Sequence, residues 1–92
     1  MAVLLVTYDL NKEGNSKVDY NKFYAIRDKY DHVRLSESSY AFRTNEHPMK
    51  VYADLKTVVD DDDHIYVINL KRPYYGHGPK PVKDWLEANL PQ

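Results

Sequence analysis

The chain predicts an α+β domain built around one four-stranded antiparallel sheet, and three observations carry this. Residues 2–9, Ala-Val-Leu-Leu-Val-Thr-Tyr-Asp, and residues 64–70, His-Ile-Tyr-Val-Ile-Asn-Leu, are strand-forming, mostly apolar runs of strand length. Two intervening segments repeat apolar residues at steps of three and four, the period of one helix face. Between those segments lie two alternating stretches separated by a polar pair, which is the pattern of a hairpin.

The first strand, residues 2–9, ends abruptly in a carboxylate, Asp9. Residues 10–17, Leu-Asn-Lys-Glu-Gly-Asn-Ser-Lys, read as loop. A helix is expected over about 18–30, with Phe23, Ile26 and Tyr30 as its stripe and Tyr20 and Tyr24 flanking it. Ser16 with Asp19 three residues on marks its start. Helical spacing stops after Tyr30. His32 to Ser36 and Ser39 to Arg43 alternate as strands do, with a turn near Glu37-Ser38. Thr44 or Asn45 can cap a second helix, with Pro48 in its first turn and Val51, Leu55 and Val58 on its buried side. That helix is expected to stop before Asp60–Asp63, whose charge opposes its negative C-terminal end. After the strand at 64–70 the tail turns through Pro73 to Pro79. A short third helix is expected at 81–89, with Val82, Trp85, Leu86 and Leu90 on one face.

The resulting order, β-α-β-β-α-β plus a C-terminal helix, is the ferredoxin-like pattern: spatial strand order 4-1-3-2, with two helices on one face. One domain is expected over residues 1–92, with a core at 2–70 and a C-terminal extension at 71–92. A sheet covered on one face alternates apolar and polar residues, but the first and last strands do not. Val3 and Leu5 oppose Leu4 and Val6, and Ile65 and Val67 oppose Tyr66, Ile68 and Leu70. Such an apolar second face marks an interface. A twin sheet is the simplest cover, so a two-fold homodimer is expected. The C-terminal helix, through Trp85 and Leu86, is the rival cover.

Composition narrows the function classes. Cys is absent, which removes disulfides, thiolate catalysis and cysteine-zinc sites together. No run approaches the ~18 apolar residues of a membrane span, and the N-terminus shows no secretion-signal pattern. A cytoplasmic protein without a membrane partner is therefore expected. The net charge of −1 lacks the basic surplus usual in nucleic-acid binders. Its average still conceals dispersed cations, among them Lys12, Lys17, Arg43, Lys71 and Arg72, as candidate phosphate contacts for RNA or DNA. Lys71, Arg72, Tyr74 and Tyr75 mix cations with aromatics. They can grip a phosphate backbone or form a solvated connector.

Asp9 has two readings. It can start a turn, hydrogen-bonded to nearby amides. It can also be a divalent-metal ligand at a dimer axis, where two carboxylates share Mg²⁺ or Mn²⁺. Magnesium takes hard oxygen ligands, keeps several waters and is held by one or two carboxylates plus substrate phosphates. Asp9-x-Asn11-x-Glu13-Gly14 matches half of a calcium loop, but Tyr20 stands where that loop needs a bidentate Glu. Asp60–Asp63 with His64 reads as a solvated turn, since adjacent residues of an extended chain point to alternate sides. His32, His47, His64 and His77 form no zinc motif, and Ser36, Ser38 and Ser39 lack nucleophile-elbow glycines.

A first strand ending Val-Thr-Tyr8-Asp9-Leu10, a hairpin strand with Ser39-Tyr-Ala-Phe42-Arg and an acidic turn before a last strand (Asp60 through Leu70) resemble a known family. It is the CRISPR-associated small ferredoxin-like proteins of the Cas-two type, and the likeness is closer to their stand-alone relatives outside CRISPR loci. It covers about residues 2–70. The resemblance implies that Asp9 is the metal-binding nuclease residue, with Tyr8 and Ser39 as its neighbouring support. The segment from Ser39 to Phe42 is one residue longer than the family's Ser-x-Phe signature. The tail differs from the short partner-swapping strand of CRISPR members. The expected function is a metal-dependent endonuclease acting as a homodimer, on RNA or DNA. The alternative is a non-catalytic dimeric adaptor for nucleic acid or a protein partner, and a toxin-like ribonuclease of the same fold is a third possibility.

Overall fold

The computed structural model describes residues 1–10 and 20–92. Its elements are β1 (Ala2–Asp9), α1 (Tyr20–Arg27), β2 (Asp31–Ser36), β3 (Ser39–Thr44), α2 (Pro48–Lys56), β4 (His64–Leu70) and α3 (Lys80–Asn89). The four strands form one antiparallel sheet in the order β2-β3-β1-β4, the expected order read from the opposite edge.

Strand alternation sorts the apolar residues onto two faces. On the first, Leu4 and Val6 of β1 join Tyr40 and Phe42 of β3 under Phe23 and Ile26 of α1 and Val51 and Leu55 of α2. Fully burying a side chain of this size contributes roughly 1.5–3 kcal/mol. Aromatic rings lock the layer: Tyr30 stacks on Phe42 with centroids 5.0 Å apart, and Tyr8 tilts against Phe23 at 4.8 Å. On the second face, Val3 and Ala41 are fully buried beneath Leu90, with Val33, Leu35, Leu70, Tyr74, Trp85 and Leu86 packed around them. The C-terminal helix therefore takes part of the second face within one chain.

Arg72 is one anchor of the tail. Arg72, just past β4, donates to the Leu90 carbonyl at 3.3 Å, the Glu87 carbonyl at 2.6 Å and the Glu87 carboxylate at 2.9 Å. Its backbone N–H donates to the Pro91 carbonyl at 2.9 Å. Trp85 Nε1 donates to Asp31 Oδ1 at 3.0 Å, which pins α3 to the start of β2.

Boundaries differ from expectation by one residue at β2, β3 and α3 and by more at α1 and α2. The helix expected over 18–30 is α-helical only to Arg27; Lys29 and Tyr30 then close tighter three-residue turns back to Ile26 and Arg27. Tyr30 joins the core from this turn, where its hydroxyl donates to Glu46 at 2.9 Å. The start expected from Ser16 and Asp19 lies outside the described residues. The cap of α2 is His47, whose Nδ1 accepts from the Met49 N–H at 3.1 Å. Thr44 instead accepts from the Glu46 N–H at 3.0 Å, shaping the turn that precedes the cap. Between α2 and β4 the acidic run forms a turn. Asp63 folds inward, its carboxylate accepting the Asp60 N–H at 2.7 Å, while Asp61 pairs with Lys56 at 3.2 Å.

Candidate functional site

Asp9 is the exposed last residue of β1. Its cross-strand partner on β4 is His64, which is also exposed. The alternation along β1 puts Val3, Leu5, Thr7 and Asp9 on one face, the face that α3 covers at its Val3 end. Opposite these stand Leu70, Ile68, Tyr66 and His64 of β4. Leu70 is tucked toward α3, but Ile68 is 49% and Tyr66 63% exposed. The second face thus has a closed end under α3 and an open end. Asp9 lies on the open end beside an apolar strip of Leu5, Tyr66 and Ile68.

Tyr8, one residue before Asp9, projects to the opposite face. There it stacks on Tyr40 with centroids 6.3 Å apart, and its hydroxyl donates to the Glu37 carbonyl at 3.1 Å. Burial pushes this hydroxyl up to about 12, with the nearby phenols of Tyr40 and Tyr24 adding to the effect. Tyr8 therefore braces the strand end from the core side. Ser39 pairs with Thr7 in the ladder, and its hydroxyl is engaged with that of Ser36 at 2.7 Å.

The sheet does not bring the described candidate cations, Arg43, Lys71 and Arg72, to Asp9. Arg43 and Leu70 both pair with Val3, six residues along β1 from Asp9. At ~3.3 Å per residue that is about 20 Å away. Lys71 and Arg72 follow Leu70 directly and share that distant end, and Arg72 is committed to Glu87 and Leu90. Lys12 and Lys17 lie outside the described residues.

As a metal centre, one protomer offers little. Among the described residues, no three His, Asp or Glu side chains gather closely enough to hold an ion. Asp9 and His64 stand opposite each other across the β1–β4 ladder, two donors where a metal centre gathers more. The placement of His64 opposite Asp9 was not anticipated, because in sequence His64 groups with the aspartates before it. The available signal was the pairing of the first and last strands, which sets residue 64 against residue 9. Among the described residues, no helix is long and apolar enough to cross a membrane. No protein-family model matches the chain, and no solved structure is a significant match to it.

Proposed function

We propose that the chain is a ferredoxin-like, metal-dependent endonuclease that works as a homodimer, with Asp9 of each copy holding a shared divalent cation. One observation carries this reading: the carboxylate at the end of β1 lies on the same sheet face as the half-buried Leu5 and the exposed Tyr66 and Ile68. A two-fold contact that buries this strip against itself brings like residues together, and Asp9 is within that contact. Two carboxylates repel each other, and a cation between them relieves the repulsion. Mg²⁺ fits such a sparse donor set because it retains much of its water. When bound, the ion supplies charge neutralisation and an activated water at a phosphodiester. The chain's own task is to fix the carboxylate on a rigid strand, which the Tyr8 packing behind it serves.

The test is Asp9→Asn, which preserves shape and removes the charge. Mg²⁺-dependent cleavage of RNA or DNA is expected to disappear while the dimer persists in sedimentation. Ile68→Glu is expected to dissolve the dimer and abolish cleavage with it. Unchanged cleavage by Asp9→Asn overturns the assignment.

A second reading, the non-catalytic dimeric adaptor, is favoured by the isolation of Asp9 from Arg43, Lys71 and Arg72. It predicts binding without turnover under any divalent ion. Binding that falls steeply with salt marks phosphate contacts, and flat binding marks a protein partner.

A further inference from the structure

Between α3, the segment leading into it and the strand end of β2 lies a groove of about 340 Å³. Its interior is apolar, built from Leu35, Leu70, Val82, Leu86 and Leu90. The volume falls within the range of small-molecule sites, roughly 300–1,000 Å³. None of its lining residues belongs to the strip proposed as the dimer contact, so the groove is independent of the nuclease reading.

The charge around it is one-sided. Lys71, Lys83 and His77 line it, and among the described residues no acidic one does. The hydrogen bonds of the neighbouring carboxylates go to other partners, although Glu87 still feels the charge of Lys83. Asp84 pairs with Lys80 at 2.7 Å, and Glu87 pairs with Arg72 at 2.9 Å while accepting from the Tyr74 hydroxyl at 3.1 Å. Among the described residues, neither Lys71 nor Lys83 lies within ion-pairing distance of a carboxylate. An apolar concavity lined by two lysines outside any described ion pair, with Glu87 drawing on Lys83 only at longer range, complements one kind of molecule, an apolar body carrying a single anionic head.

We propose that this groove binds a small amphipathic carboxylate, its hydrocarbon against Leu35, Leu86 and Leu90 and its head between Lys71 and Lys83. The head group accounts for the two lysines, and the apolar body accounts for a floor that would otherwise face water.

Calorimetric titration of the whole chain with octanoate, octanamide and octylammonium tests this. Octanoate is expected to bind, with the neutral amide at least about tenfold weaker, as befits a charge-assisted contact, and the cation not binding. Lys71→Gln with Lys83→Gln should reduce octanoate affinity by about tenfold or more. Both side chains are exposed, so the thermal melt should stay where it was. Val82→Trp, which fills the groove from α3, should abolish binding and leave the circular dichroism spectrum intact. Three results overturn the proposal: no octanoate binding up to about 10 mM, equal affinity for acid and amide, or full affinity in the double glutamine variant.

Discussion

The two faces of the sheet are made by the same four strands and are closed very differently. On one, two helices seat Phe23, Ile26, Val51 and Leu55 onto Leu4, Val6, Tyr40 and Phe42, a continuous dry layer reinforced by stacked aromatics. On the other, one helix covers Val3 and Ala41 with Leu90, and its own Trp85 and Leu86 remain partly exposed. The first face holds the fold. The second divides its area between a helix seated by both apolar packing and polar contacts, a groove, and an open strip beside Asp9. Interior packing is unforgiving of lost volume, so the first face has little freedom for function. The second has that freedom because it is incompletely closed.

The sharpest way to break this comparison is to truncate one packed side chain on each side. Phe42→Ala should cost about 3–5 kcal/mol, as large-to-small changes at fully buried aromatic positions do. Leu86→Ala, at a partly exposed position, should cost about 1 kcal/mol. Urea unfolding measures both, and comparable losses would show that the second face is as structural as the first.

Alkali should strike the first face. The Tyr8 hydroxyl is pushed up to about 12 by burial, and Tyr30 is raised further, by burial and then by its hydrogen bond to Glu46. A phenol whose folded pKa lies above its unfolded value of about 10 contributes stability that is complete below pH ~10 and is lost as pH rises toward the folded value. The urea midpoint should therefore fall between about pH 10 and 12, and Tyr8→Phe should flatten that fall.

Acid should strike the second face, with a smaller effect. The Arg72 guanidinium, and then the Tyr74 hydroxyl, hold the Glu87 carboxyl below its ordinary value. A lowered carboxylate contributes stability that is present above its unfolded pKa and is lost as pH falls through the folded one. Trp85 is the single tryptophan, so its fluorescence reports on α3 alone. Its emission should shift on acidification before the far-ultraviolet circular dichroism changes, and Glu87→Gln should remove that early step.

Much of this architecture was legible in the residues. Strands at 2–9 and 64–70, the hairpin around Glu37-Ser38 and the stripe of Val51 and Leu55 follow from periodicity, which local apolar spacing encodes directly. The apolar doubling of Val3 and Leu5 against Leu4 and Val6 marked a second covered face, and Trp85 and Leu86 named one of its covers. The cap of α2 was not legible, because Thr44 and Asn45 have the better intrinsic preference and only the path of the chain brings the His47 ring onto the Met49 N–H. The separation of Arg43 and Lys71 from Asp9 was not legible either. It depends on register, and register is a property of paired strands. The commitment of Arg72 to the Leu90 carbonyl and Glu87 is a contact across 15 or more positions of sequence that no local pattern announces.

β4 closes one edge of the sheet, pairing with β1 alone among the described strands. A seven-residue strand with an outer side of backbone donors and acceptors is a template for strand addition by further molecules. The sequence brackets it with four aspartates before His64 and with Lys71-Arg72-Pro73 after Leu70. In an in-register parallel stack, like charges would superimpose at both ends of every added strand, and the proline would withhold an N–H at each step. Fibrillar growth along this edge is therefore opposed by electrostatic repulsion, and that protection is weakest in concentrated salt, where screening shortens its reach.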